Sequence, residues 1–125
     1  DGLDEITLAT TTSVLTIGRD EIRSDRIDAK DFGMDNSPIE AIVGGDAQEN
    51  ARISQAIFAG ERGAPRDAVL LNAAAAIAAF EGDAESEIKE RLIRGLKRAE
   101  EAVDSGAAAA LLTRWAALSQ EISAS

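Results

Sequence analysis

Thr10-Thr11-Thr12-Ser13-Val14-Leu15-Thr16-Ile17 is the stretch on which the fold class turns, because the chain beyond Phe32 carries helical signals instead. β-branched side chains dominate it, and they suit a pleated surface better than a helix. A second β-prone run, Glu21-Ile22-Arg23-Ser24-Asp25-Arg26-Ile27, follows after Gly18-Arg19-Asp20. Two such runs across a short glycine-containing link predict a hairpin, although the apolar/polar alternation is imperfect.

Helix signals begin at Ser37-Pro38-Ile39-Glu40, where a capping serine, a proline at the first helical position and a glutamate at the third coincide. A short helix is expected there to about Val43, ending at Gly44-Gly45. Asp46 with Glu49 predicts a second capping box, and Ile53, Ala56 and Ile57 mark the buried stripe of a helix that stops at Gly60. Pro65 or Arg66 opens a third helix, which ends near Phe80 before Glu81-Gly82-Asp83. In the fourth, Ile88, Leu92, Ile93, Leu96, Ala99 and Val103 share a face, while Lys89, Glu90, Arg94, Lys97 and Glu101 form a solvated one. Gly106 breaks the chain, and Leu111, Leu112, Trp115, Leu118 and Ile122 define a last amphipathic helix. Strands over residues 1–30 and about five helices over 37–123 predict an α/β or α+β layer. Two or three strands make a poor sheet alone, so these are expected to complete a larger sheet supplied by other residues.

The 125 residues suit one domain or a substantial piece of one, with about two-thirds of the surface buried on folding. Phe32, Phe58, Phe80 and Trp115 are the only aromatics, so alanine must do much of the packing. A net charge of −10 disfavours nucleic acid and anionic lipid as partners. Histidine and cysteine are absent, which removes disulfides, Cys/His zinc sites and Ser-His-Asp or Cys-His catalysis from this chain. The apolar stretch 68–80, interrupted by Asn72, is 13 residues long, against the roughly twenty that cross a bilayer. A cytoplasmic location fits the lack of cysteine and of a signal pattern. The start at Asp1 instead of Met points to processing, truncation or a missing first part.

Asp1-Gly2-Leu3-Asp4-Glu5 concentrates three carboxylates in five residues beside a glycine that permits a turn. Magnesium is a hard cation that takes one or two carboxylates together with substrate phosphates, so a metal site is one reading. On spacing alone a solvated acidic turn is the simpler one.

The motif, followed by a Thr-rich β segment, resembles the acidic motif of the anthranilate phosphoribosyltransferase family. Two further stretches are similar to that family in order and spacing: Gly44-Gly45-Asp46-Ala47-Gln48-Glu49-Asn50-Ala51 and Arg66-Asp67-Ala68-Val69-Leu70-Leu71-Asn72-Ala73-Ala74. Asp104-Ser105-Gly106-Ala107-Ala108 is also family-like. The resemblance covers nearly the whole chain. It implies the C-terminal portion of the large α/β domain of a phosphoribosyltransferase of the nucleoside-phosphorylase type, with the N-terminal part not in this chain. It further implies that Asp4 and Glu5 are magnesium ligands, that phosphoribosyl pyrophosphate and anthranilate are the substrates, and that the enzyme is a homodimer of tryptophan biosynthesis. The family's glycine-rich phosphate loop, its Lys-His-Gly-Asn motif and its anthranilate-binding arginine belong to the earlier part. No catalytic or substrate-cofactor residue is therefore assigned within these 125, and the chain alone is expected to be inactive.

Three features tempt other readings. Asp31-Phe32-Gly33 matches a kinase magnesium triplet, but the accompanying kinase motifs are missing, so a turn is expected. Gly44-Gly45-Asp46 sits between capping signals and is expected to be a helix junction, not a phosphate loop. Arg66, Asp67 and Asn72 lie on a helix that is apolar almost all round; internal hydrogen bonding is expected of them, with Asn72 tying the helix to a neighbouring loop. Two other functions compete with the enzyme: a non-catalytic relative that binds nucleic acid, against which the charge speaks, and a free-standing helical interaction module.

Overall fold

The computed structural model describes residues 1–18 and 20–124. The expected hairpin is present: β1 (Thr12–Ile17) pairs antiparallel with β2 (Ile22–Ile27), Thr12 opposite Ile27 and Ile17 opposite Ile22. Gly18 N–H closes the link on the Glu21 carbonyl at 2.9 Å; Arg19, part of the expected turn, lies outside the described residues. Side chains alternate as a pleat demands, with Val14, Thr16 and Ile27 turned inward. The alternation looked imperfect because the outward face is apolar too: Leu15, Ile17 and Ile22 are each about two-thirds or more exposed. The sheet has these two strands among the described residues.

A 3-10 turn at Ala29–Phe32 follows, and it bears out the turn reading of Asp31-Phe32-Gly33. Asp28 accepts from Lys30 N–H while Asp31 accepts from Asp28 N–H at 2.9 Å, and Gly33 ends the turn at φ 74°. The next segment runs back along Leu8, whose carbonyl accepts from Ser37 N–H and from the Asn36 amide.

Ser37 does not cap a helix as expected. Pro38 is extended at ψ 155°, the first helical residue is Ile39, and only a 3-10 turn, Ile39–Ile42, forms before Gly44-Gly45. Four α-helices rather than about five result. α1 (Ala47–Phe58) starts at Asp46, whose carboxylate accepts from Glu49 N–H at 2.9 Å. That cap is one-sided, because the Glu49 carboxylate turns to Arg52 at 2.7 and 3.0 Å.

α2 (Ala64–Glu81) and α3 (Ile88–Asp104) form the centre. Leu70, Leu71, Ala74 and Ala78 of α2 meet Ile88, Leu92, Leu96, Ala99 and Val103 of α3, with Leu8, Ile27, Ala29 and Met34 completing the core. Alanine packs this core as expected, and none of the four aromatics is buried; Phe80 is 89% exposed. Ile93 departs from its expected place on the inner face: it is exposed, while Arg91 and Gly95 turn inward. The hairpin is fastened to the α2–α3 link by Arg23, whose guanidinium donates to the carbonyls of Ala84, Ser86 (2.9 Å) and Glu85 (3.4 Å).

α4 (Ala107–Ser123) begins after Gly106, at φ 80°. It touches α1 and α3; of its expected stripe Leu112 is half-buried, while Leu111, Trp115, Leu118 and Ile122 are exposed. No helix among the described residues is long and apolar enough to cross a membrane.

Candidate functional site

The first five residues are exposed and irregular, whereas Thr7 and Leu8 are buried at 4% and 1% exposure. Within the exposed part Gly2 adopts φ 92°, and the Asp1 carboxylate accepts from Leu3 N–H at 3.1 Å. Asp1 is thus used in shaping the turn. Asp4 and Glu5 stand on successive bends, and among the described residues neither carboxylate takes part in a hydrogen bond or ion pair.

Two adjacent, unpaired, solvent-facing carboxylates are the donor set that a magnesium ion with phosphate ligands uses. They do not make a closed cage: no cluster of three or more acidic, histidine or cysteine donors able to hold a metal occurs among the described residues. The arrangement therefore suits an ion that retains water and phosphate oxygens, and not a structural ion wrapped in protein. With that qualification, the residues present fit magnesium.

Glu5 opens onto a largely apolar groove of about 490 Å³ whose other polar side chains are Asn50, Ser54 and Asn72. Each of the two family-like helical motifs contributes an asparagine there, and each asparagine takes both backbone groups of one residue in a facing segment. Asn72 accepts from Ile6 N–H and donates to the Ile6 carbonyl, both at 2.9 Å. Asn50 accepts from Gly45 N–H at 2.9 Å and donates to the Gly45 carbonyl at 3.0 Å. A side-chain amide reproduces the donor–acceptor pair of a neighbouring strand, which is how irregular backbone finds partners without a sheet. Gly44 lets the Asn50 amide come close, since a Cβ there would press on it and displace it from Gly45. The expectation that Asn72 ties its helix to a loop is borne out, and Gly44-Gly45-Asp46 is a helix junction.

Behind this rim, Arg66 is 1% exposed and donates through Nη2 to Asp104 at 2.7 Å, linking the start of α2 to the end of α3. Its Nε and Nη1 are buried without a hydrogen-bond partner among the described residues. Internal bonding was expected of Arg66, though nothing in the sequence specified Asp104. For Asp67, burial pushes the carboxyl above its usual range, against the pull of Arg66 and Arg62. Arg91, buried at 7% and donating to the Ala78 carbonyl at 3.0 Å, was missed. Its position three residues after Ile88 and four before Gly95 was the available signal.

Residues 1–109 match the glycosyl transferase family, a/b domain, and the chain belongs to that family. Its relatives are more particular. A protein of Rhodococcus jostii (strain RHA1) named anthranilate phosphoribosyltransferase is 45% identical over 125 residues, all of this chain and 34% of that protein. Proteins of the same name from Thermobifida fusca (strain YX) and Arthrobacter sp. (strain FB24) are 48% and 44% identical, each over 96% of this chain and 34% of the relative. The chain spans about a third of the length of these curated relatives.

Proposed function

We propose that this chain is part of an anthranilate phosphoribosyltransferase and supplies its magnesium-binding acidic motif. The reaction joins the amine of anthranilate to the anomeric carbon of phosphoribosyl pyrophosphate, with release of pyrophosphate, in tryptophan biosynthesis. The observation that carries the reading is the state of Asp4 and Glu5: consecutive, exposed and without a partner among the described residues, in a chain 45% identical to a relative of that name. A cytoplasmic homodimer belongs to the same reading and rests on the resemblance alone.

The chain's own contribution is binding and orientation. Asp4 and Glu5 would hold the cation, whose chemistry when bound is neutralisation of charge on the departing diphosphate. The Asp1–Gly2–Leu3 turn leads into the pair from one side, and the buried Thr7–Leu8 segment holds it from the other. The surrounding −10 charge gives the chain no general attraction for a polyanionic substrate, so a cation at the acids is what makes the approach of diphosphate favourable. No histidine is present to act as a proton acceptor, and none of the chain's residues is assigned to the anomeric carbon.

The test is turnover of phosphoribosyl pyrophosphate and anthranilate by the full-length protein across a magnesium titration. Asp4→Asn and Glu5→Gln are each expected to raise the magnesium needed for half-maximal rate by about tenfold or more, the size seen when metal-site groups are altered. A wild-type magnesium dependence in both variants would refute the assignment.

A further inference from the structure

Between Asp1 and Ile6 the chain makes no hydrogen bond to any other described part of the molecule until the Ile6 peptide is reached. There both backbone groups of Ile6 are taken by one side chain, Asn72. Beyond it the chain is held by burial at Thr7 and Leu8. The boundary between free and fastened backbone therefore falls one residue after Glu5 and two after Asp4.

Asn72 is itself held firmly. Its Nδ2 makes a second bond, to the Ala68 carbonyl one turn back on α2, at 2.9 Å. With Oδ1 on Ile6 N–H, the two donor hydrogens and the acceptor oxygen are all engaged, which fixes the orientation of the amide plane. Asparagine is a poor choice for the interior of a helix whose other residues here are Leu70, Leu71, Ala73 and Ala74. The side chain earns its place through its bonds to Ile6.

We propose that Asn72 is a positioning residue for the acid pair: by locking the two peptides that flank Ile6 to α2, it determines where the Asp4 and Glu5 carboxylates stand. The proposal rests on the reading of these carboxylates as cation ligands. Loss of the clamp leaves this end of the segment held only by the packing of Ile6 on the core and the burial of Thr7 and Leu8, and it frees the Ile6 backbone next to the ligands. Cation affinity then falls although no ligand has been removed.

Asn50 provides a control built on the same chemistry. It grips Gly45 by the same pair of bonds but holds the junction before α1, not the acidic segment. The experiment uses the full-length protein with manganese as the probe, measured by electron paramagnetic resonance in the presence of phosphoribosyl pyrophosphate and without anthranilate, so that no turnover is needed. Hydrogen exchange of residues 1–8 is followed in parallel on the metal-free protein. Asn72→Ala is expected to weaken manganese binding about tenfold or more and to speed exchange in that segment, with Asn50→Ala leaving manganese affinity unchanged. Should the alanine variant not fold, Asn72→Ser keeps a hydroxyl for the Ala68 carbonyl but cannot reach Ile6, and the same loss is expected.

Accelerated exchange at unchanged manganese affinity would overturn the proposal, since the clamp would then be structural only. An equal loss in Asn50→Ala would overturn it too. Asp4→Asn and Glu5→Gln separate the two levels. If they weaken manganese binding and the Asn72 variants do not, positioning alone fails; if they bind manganese normally, the ligand reading falls and the proposal with it.

Discussion

Gly95 of α3 lies against Ala74 of α2 so closely that a Cβ on Gly95 would stand 3.0 Å from both Cα and the carbonyl carbon of Ala74 and would overlap its oxygen. The two central helices are in backbone contact there, with no side chain between them. A small residue on one side and none on the other is how an alanine-rich core reaches close packing. Gly95→Ala gains helix propensity of about 1 kcal/mol but forces the helices apart, and the net loss expected is about 1–3 kcal/mol. Chemical denaturation of the full-length protein measures it; a stabilised variant would show that the helices part freely.

Asp104 neutralises a guanidinium that is otherwise out of reach of solvent. Asp104→Ala leaves Arg66 buried and without its carboxylate. The expected cost is about 2–3 kcal/mol, below the 3–5 typical of a fully enclosed pair because Asp104 is half exposed. Arg66→Met together with Asp104→Ala should recover part of it, and a double-mutant cycle tests this. Additive losses would contradict the pairing.

Asp31 responds to acid in a defined direction. The hydrogen bond from Lys89, at 2.7 Å, and then that from Asp28 N–H hold its carboxyl below the usual range. Because the folded value is depressed, the stabilisation is present above the ordinary carboxylate pKa and disappears as pH falls through the folded one. Asp67 has the opposite sign: burial raises its value, so its contribution declines as pH rises through that value. Lys89→Met should move the Asp31 titration upward while Asp67 stays put, as followed by side-chain carboxyl chemical shifts. An unmoved Asp31 would remove Lys89 as the cause.

The outward face of the hairpin offers a simpler test. Leu15, Ile17 and Ile22 are uncovered in a two-stranded sheet, which exposes both apolar surface and strand edges. The 125-residue chain on its own should self-associate, and Leu15→Lys with Ile22→Lys should reduce this in sedimentation. Monomeric behaviour of the unaltered chain would contradict it and favour an independent helical module.

Local chemistry made much of this legible in advance. Asp46, Pro65, Gly82 and Gly106 marked helix ends because capping depends on a few neighbouring atoms. The hairpin was legible from its β-branched runs, and the Asn72 bond from a polar group on an apolar helix. Ser37 misled because Pro38 stayed extended and the Ser37 N–H went to Leu8, a partner far away in sequence. Arg91 was missed because a charged residue on an inner face is allowed only by a carbonyl that the sequence does not reveal. The stripe on α4 was read correctly as apolar, yet periodicity says which side is apolar and not what lies against it. For the acidic segment an exposed turn was legible, while the anchoring of the backbone just beyond it emerged only from the fold.

The most direct measurement is a crystal structure of the full-length protein grown with phosphoribosyl pyrophosphate and magnesium. Carboxylate oxygens of Asp4 or Glu5, or of both, are expected about 2.0–2.1 Å from an ion that also contacts the diphosphate. An ion held elsewhere, with both side chains extended into bulk water, would contradict the account.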